Sequence, residues 1–469
     1  MKLTMPRSDP KEALLGLGRI IPTRTTLPVL HGIRFEAGAH VLICGTNLDQ
    51  YASYQANGEV LEPGACVVDL EKIKPFAKGA DADLLTLEST PERLTLTNPT
   101  HGQSIAHNLS VYDPEEWPAN PPAIDTQPVG EEFITRLQLA MPFASTDRTR
   151  IVLNGVHLDA SGKDGHRLVA TDGRRLTCFP MGTLPIAESC TVPTCKFLEW
   201  SKRSGVSRIG LSKTGGVGWF RLEAGRWGCT MRLTDGTFPD WHHVVPGDVG
   251  KSFLTVADQD VALLKTMLAT FPGREDVNGL ICLSGTSGHL TVKGRNPGEE
   301  KWTTFELPAS TAKGDDIEVG VSRDFLMEAL EAGFRTFGAT DARSPLYALL
   351  ADGSAHVLMP IRIAAESAPE APPTVEPAQT IETASPVAEP QKKEKTMPAK
   401  IVPEKTQEPG ALDRLIAAFD AAKSKVREAN EALAQVAGAI KEAIREDKQR
   451  RTEIDTVRAG LLKLQAIRV

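Results

Sequence analysis

The sequence predicts an α+β protein of three similar tandem domains, followed by an extended tether and a helical tail. Three observations predict it: one segment recurs along the chain at a nearly constant offset, a proline-rich break follows the third copy, and a seven-residue apolar beat follows the break.

The repeat emerges when the chain is offset against itself. Val29-Leu30-His31-Gly32-Ile33-Arg34-Phe35-Glu36-Ala37 matches Val152-Leu153-Asn154-Gly155-Val156-His157-Leu158-Asp159-Ala160 at an offset of 123 residues. Asn278-Gly279-Leu280 echoes Asn154-Gly155-Val156 at an offset of 124. Trp117-Pro118 in the first copy recurs as Pro239 before Trp241 in the second. Alternation such as Ile33-Phe35 and Val156-Leu158 predicts strands. Val68, Val192 and Val321 each open a short helical pattern that closes near Gly79, Gly205 and Gly333. Each copy thus reads strand, strand, helix, strands, with domains at 1–125, 126–248 and 249–363. Units of this size are too long for a solenoid and point to duplicated domains arranged about an axis.

Residues 364–409 hold nine prolines and eight glutamates, with no aromatic residue and no glycine. Such a stretch cannot bury enough apolar surface to offset its ordering entropy, so it reads as a disordered, fairly stiff tether. From 410 to 469, apolar positions run at heptad spacing from Leu412 and Leu415 to Leu461 and Leu464, broken only at Asp447 and Arg450. A sustained 3.5-residue repeat predicts a coiled-coil helix, and the polar break a register device or a hairpin bend. A single solvated helix is the plainer alternative, because alanines weaken the seam.

Composition excludes several classes. Mean hydropathy is -0.20 and no apolar run reaches the ~18 residues of a membrane helix. No signal peptide is expected after Met1-Lys2-Leu3-Thr4. The seven cysteines are odd in number, scattered and without a CxxC pair, which suits reduced thiols in the cytoplasm better than disulfides or zinc. Residues 1–363 carry 36 basic and 43 acidic groups. A protein that grips nucleic acid by bulk electrostatics reads basic. A role on DNA here would need positive groups gathered on one surface, or retention that does not depend on affinity.

Catalytic motifs are weak. Gly247-Asp248-Val249-Gly250-Lys251-Ser252 ends like a Walker A loop, but its first glycine stands two residues too close. Ser310-Thr311-Ala312-Lys313 and Lys213-Thr214-Gly215 spell SxxK and KTG in the wrong order, with no intervening SDN. His242-His243 beside Asp240 lack a second ligand pair, since adjacent residues on a strand face opposite ways. Asp81/Asp83 and Asp258/Asp260 read as turn and helix-cap residues rather than a two-metal pair. Lys213–Gly218 reads as a hairpin turn. No catalytic residue, metal or cofactor is expected.

Three segments stand apart. Leu168-Val169-Ala170-Thr171-Asp172-Gly173-Arg174-Arg175-Leu176 ends a strand in a tight turn with two arginines. Phe238-Pro239-Asp240-Trp241-His242-His243-Val244-Val245-Pro246 is an aromatic-proline connector. Val357-Leu358-Met359-Pro360-Ile361-Arg362-Ile363 is a strand whose proline ends ladder pairing. Together they suit a groove of Leu, Val, Pro and Met rimmed by arginine, fit for short apolar peptides.

With Arg24-Thr25-Thr26-Leu27-Pro28-Val29-Leu30 and Gly45-Thr46-Asn47-Leu48-Asp49, these segments resemble the bacterial sliding clamps, the beta subunits of DNA polymerase III, over residues 1–363. The resemblance implies a head-to-tail homodimer, a ring of six clamp domains around duplex DNA. It implies a processivity factor for DNA replication: an accessory subunit of a DNA-directed DNA polymerase, a nucleotidyltransferase, with no catalytic site of its own. A loader using ATP would open the ring, and enclosure would replace affinity. DNA-facing candidates are Arg24, Lys72, Lys74, Lys78, Arg148, Lys196, Lys202 and Arg203, while the third helix offers only Arg323 against Asp324, Glu328 and Glu331. Asp147 stands where a neutral loop residue is usual.

The family's partner pocket, which docks linear motifs of polymerase, loader and repair proteins, maps onto Arg150, Leu153, Thr171, Gly173, Arg174, Arg175, Leu176, Pro239, Val244, Val357, Met359, Pro360, Ile361 and Arg362. Arg174 replaces a common histidine and Ile361 a common methionine; the stiffer Ile implies a narrower range of peptides. The tether and coiled coil are additions to the family pattern, leaving from the pocket with a reach of roughly 35–40 Å or more. They suit pairing of two tails or recruitment of a coiled-coil partner. A specialised clamp-like scaffold is the alternative reading, and a nucleic-acid enzyme a more distant one.

Overall fold

The computed structural model describes residues 1–363, except 79–83, 101–102, 163–164, 201–206, 275, 277 and 300. The expected tether and coiled coil, and Asp81, Asp83, Lys202 and Arg203, lie outside the described residues.

One series of elements occurs three times. The first copy runs β1 (Lys2–Pro6), α1 (Ser8–Leu17), β2 (Gly32–Ala37), β3 (Val41–Thr46), β4 (Gln50–Ala56), β5 (Glu59–Glu62), β6 (Gly64–Asp69), α2 (Leu70–Ile73), β7 (Leu84–Ser89), β8 (Arg93–Thr100) and β9 (Gln103–Tyr112). The second runs β10 (Gln127–Val129), α3 (Glu132–Ala140), β11 (Gly155–Asp159), β12 (His166–Thr171), β13 (Arg175–Gly182), β14 (Cys190–Pro193), α4 (Lys196–Glu199), β15 (Ser207–Thr214), β16 (Val217–Ala224) and β17 (Trp227–Arg232). The third runs β18 (Ser252–Thr255), α5 (Asp258–Thr270), β19 (Leu280–Thr286), β20 (His289–Gly294), β21 (Thr303–Lys313), β22 (Ile317–Ser322), α6 (Arg323–Glu331), β23 (Thr336–Ala339), β24 (Leu346–Leu349) and β25 (Ala355–Leu358). Only β5 has no counterpart.

Within each copy the strands form two antiparallel four-strand sets of the same order, β6-β2-β3-β4 and β1-β7-β8-β9 in the first. The sets then join across copies, giving one sheet of thirteen strands and one of twelve. Alternation drives this: in β3, Val41 and Ile43 are fully buried while Leu42 and Cys44 are half-buried. Burying each large apolar side chain contributes roughly 1.5–3 kcal/mol. The repeated glycine has a packing reason, because a Cβ at Gly32 would stand 2.5 Å from Val67 on β6, and one at Gly155 2.4 Å from the Val192 carbonyl on β14.

The structure corrects the helix reading in two ways. Val68, Val192 and Val321 lie in strands β6, β14 and β22, paired to β2, β11 and β19. The helices begin after them and are short. In the first copy, the Asp69 carboxylate accepts from the backbone N–H of Glu71 and Lys72 to cap α2. Pro75 has no N–H to continue the ladder, so the chain tightens to a 3-10 turn over Lys74–Ala77. Each copy also has a helix after its first strand, α1, α3 and α5, which the strand-strand-helix reading missed. Their cores are Ala13/Leu14/Leu17, Phe133/Leu137/Ala140 and Leu264/Leu268, all buried at helical spacing.

Candidate docking groove and nucleic-acid face

The groove begins at the turn between β12 and β13. The Asp172 carboxylate accepts from the N–H of Arg174 at 2.8 Å and of Arg175 at 3.1 Å. The Thr171 hydroxyl donates to the Arg175 carbonyl at 2.6 Å and accepts from the Gly173 N–H at 3.0 Å. Gly173 has φ +84°, which favours glycine, and a Cβ there would stand 2.9 Å from the Arg150 guanidinium. β25 runs beside β13, pairing Leu176 with Val357, and the Met359 N–H reaches the Arg174 carbonyl at 2.9 Å.

Beneath this turn Leu153, Leu176 and Val357 pack in one apolar cluster with Phe238, Trp241 and Tyr347. Trp241 fixes the connector by donating its indole N–H to the buried Asp159 carboxylate at 2.9 Å, and His157 stacks on Phe238 at 4.4 Å. Pro239 and Val244 flank Trp241 on the same connector, and both are exposed. On the other side of the turn, a groove of about 340 Å³ is lined by Arg174, Met359, Pro360 and Ile361 and, from the third copy, by Asn278, Ser322, Asp324 and Phe325. The Ile361 N–H bonds the Gly320 carbonyl at 2.7 Å, so the last described residues run along the edge of β22. Arg362 is exposed beyond them.

The structure thus brings Arg150, Leu153, Thr171, Gly173, Arg174, Leu176, Val357, Met359, Pro360 and Ile361 around one turn and one strand pair. It corrects the rim position of Arg175, whose side chain is only 5% exposed. Its guanidinium bonds Asp172, Glu328 and the Pro142 carbonyl and lies over Phe143 and Phe325. Sequence reasoning missed the wall from the third copy. Asn278 carried a signal as the third copy's match to Asn154-Gly155, whereas Phe325 read only as a core position of its helix.

Arg24, Lys72, Lys78, Arg148 and Lys196 are exposed. Lys74 pairs with Glu71, and Lys72 donates to the Ser110 hydroxyl at 2.6 Å. Asp147 is engaged by the Thr149 N–H at 2.9 Å and hydroxyl at 2.8 Å, bonds that hold its carboxyl below the usual range. Arg323, the basic residue expected on the third helix, is buried and donates to the Leu268, Phe271 and Pro272 carbonyls at the end of α5. The described residues of α6 therefore leave Asp324, Glu328 and Glu331 with no exposed basic neighbour on that helix.

No family model matches the chain. A curated beta sliding clamp from Pseudomonas aeruginosa is 27% identical over 382 residues, and one from Caulobacter vibrioides 26% identical over 394, covering 77% of this chain and 100% of each relative. The Streptomyces muensis beta sliding clamp homolog GriR is 24% identical, with 77% and 99% covered. A Bartonella birtlesii sliding clamp, solved with griselimycin bound, superposes with a TM-score of 0.68 at 22% identity, covering 77% of this chain and all of that one. A Bacillus subtilis polymerase sliding clamp gives a TM-score of 0.66 at 19% identity. The chain has the beta sliding clamp fold.

Within that clamp fold the remaining motifs are structural. Ser310 of the SxxK lies in β21, donating to the buried Asp260 at 2.6 Å and accepting from the Ala257 N–H at 3.0 Å. Lys213-Thr214 end β15, and Gly215 and Gly216 turn the chain into β16 with φ +59° and +80°. His242 and His243 lie in a turn rather than a strand, and both bond Asp240, at 3.1 and 2.7 Å. Among the described residues no group of three His, Cys, Asp or Glu could hold a metal ion. Burial pushes the Cys44, Cys66, Cys190 and Cys282 thiols up to about 12, so they stay protonated and weakly nucleophilic. No helix among the described residues is long and apolar enough to cross a membrane.

Proposed function

We propose that the chain is a sliding clamp: two copies close head to tail around duplex DNA, hold a DNA polymerase to its template, and dock partner peptides in the groove at β13 and β25. One observation carries the ring. β4 of the first copy pairs with β17 of the second, from Gln50↔Met231 to Tyr54↔Trp227. β13 of the second pairs with β25 of the third, from Arg175↔Leu358 to Cys178↔Ala355. These are the same contact, the end strand of one set, β4 or β13, against the last strand of the next copy.

Continuing the pattern leaves β21 of the third copy and β9 of the first. Among the described residues β9 pairs with β8 along its length and with β6 only at Val111 and Tyr112. β21 pairs with β20, and with β18 only at residues 311–313. Two such edges on each molecule satisfy each other twice in a head-to-tail dimer, which closes six domains into a ring. Ile105, on the β9 edge, is 44% exposed. Sedimentation tests this: the wild type is expected to run at twice its 50.6 kDa mass, and Ile105→Glu to run as a monomer with unchanged circular dichroism. A monomeric wild type at micromolar concentration would contradict the ring.

DNA would then be held by enclosure, so the deficit of basic groups is no obstacle; Arg24, Lys72, Lys74, Lys78, Arg148 and Lys196, with Lys202 and Arg203, would supply weak phosphate contacts. The groove supports docking of apolar-anchored motifs from a polymerase III catalytic subunit, a clamp loader and repair proteins, with Arg150, Arg174 and Arg362 at its edge and Pro239 and Val244 on the connector. Such a protein works in the cytoplasm, where the replication machinery of bacteria lies. A second reading has one observation in its favour. The curated relatives are spanned almost end to end by 77% of this chain, so close to a quarter of it has no counterpart in them. That favours a specialised clamp whose tail recruits a partner of its own by coiled-coil pairing.

A further inference from the structure

Arg175 contacts the groove's turn, its aromatic wall and the helix that carries that wall. Its Nε donates to Asp172 at 3.1 Å, the carboxylate that also organises the Arg174 and Arg175 amides. Its Nη1 donates to Glu328 on α6, in the third copy. Its Nη2 donates to the Pro142 carbonyl at 2.7 Å, at the end of α3 in the second. The guanidinium plane lies 4.0 Å from the ring of Phe325, which lines the groove, and 4.9 Å from Phe143. All five donors of a guanidinium are fixed in a plane, so these contacts set orientation as well as distance.

We propose that Arg175 is a positioning residue: by bridging the Asp172 turn to Phe325 and Glu328 on α6, it couples the width of the docking groove to the packing of the second copy against the third. This rests on the docking reading of the groove. A peptide seated between Arg174 and Phe325 relies on the bridge to hold the groove at the width it fits, so loosening the bridge must cost affinity although Arg175 is buried behind the lining. The coupling has a charge component. Burial raises the Glu328 carboxyl above the usual range, more than Arg175 lowers it. The other groups facing the bridge are Asp172, Asp324 and the Arg174 backbone turn, with His356 on β25 fully buried and neutral. Protonation of Glu328 removes one anion from Arg175 and leaves Asp172 to hold it alone.

The test uses the full chain and griselimycin as the groove probe, with hydrogen exchange as a second readout. Arg175→Lys is expected to weaken griselimycin binding about tenfold, the loss of a charged hydrogen bond and stack. It should also raise exchange at Gly173–Arg175 and at Phe325–Glu328 together, while β2 to β4 stay protected. Glu328→Gln, the neutral isostere of the protonated acid, should bind at neutral pH as weakly as the wild type does once Glu328 is protonated. The wild type should lose affinity as pH falls through the raised Glu328 titration, and Glu328→Gln should not. Unchanged affinity and unchanged exchange in Arg175→Lys would overturn the proposal. If Arg175→Lys unfolds throughout, the Glu328→Gln profile decides: the same acid response in both proteins overturns it. If the wild type binds no griselimycin, the docking reading loses support, and the paired exchange response alone decides whether Arg175 couples the two copies.

Discussion

His356 shows what a single residue contributes where two copies meet. It sits on β25 with no exposure, 5.1 Å from the Phe143 ring and 5.2 Å from Phe334. Burial, with the nearby Arg175 charge, pushes its imidazole down to about 3. The folded state therefore keeps it neutral where the unfolded chain, titrating near 6.5, takes up a proton. Since the unfolded state binds more protons, stability falls as pH drops from about 6.5, by about 3 kcal/mol at pH 4. His356→Phe is expected to flatten that slope in urea titrations across this range. The depressed carboxyls of Asp159, Glu223, Glu318 and Asp352 act at lower pH, so the window belongs to the histidines, with His157, which burial also pushes down, adding to His356. This residue was silent in the sequence, where His356 is one polar residue in an apolar strand. Arg175 was visible there but misplaced, because two adjacent arginines in a turn look alike until packing sends one inward.

Arg323 makes the same point for an element. α6 begins with it, and its guanidinium closes the end of α5 through three backbone carbonyls, while Lys265 on α5 pairs with Glu331 at the surface. Arg323→Met would leave those carbonyls buried and unpaired, costing about 3 kcal/mol or more in chemical denaturation. Lys265→Ala breaks only an exposed pair and should leave the midpoint unchanged. A smaller effect of Arg323→Met than of Lys265→Ala would mean that α5 is closed by something else. Strands were legible because alternation has a short period that a few residues reveal. The helices α1, α3 and α5 were missed for the opposite reason: nine to thirteen residues with two or three buried apolar positions each signal weakly. Pro75, which converts half of the first expected helix into a 3-10 turn, was readable from its missing N–H.

At the scale of the molecule, the repeat was legible because the Asn/His-Gly-Val/Ile segment meets the same constraint twice, a glycine pressed against its partner strand. What the repeat could not reveal was how copies join. Strand pairing between copies is set by edge geometry, and the two equal junctions at β4·β17 and β13·β25 emerge only in three dimensions. Used once more between two molecules, as proposed, the same contact would close a ring, and a ring would let a chain with a net charge of -7 work on DNA. A ring of that kind holds its template by topology, and its residence has little to do with phosphate affinity.

Retention on circular DNA tests that claim most directly. The protein is loaded on a nicked circle with a clamp loader and ATP, the complex is isolated, and half of it is linearised. The ring account predicts that protein stays on circles and runs off linear ends, at salt concentrations that strip ordinary phosphate contacts. Equal retention on circular and linear DNA, falling together as salt rises, would contradict it.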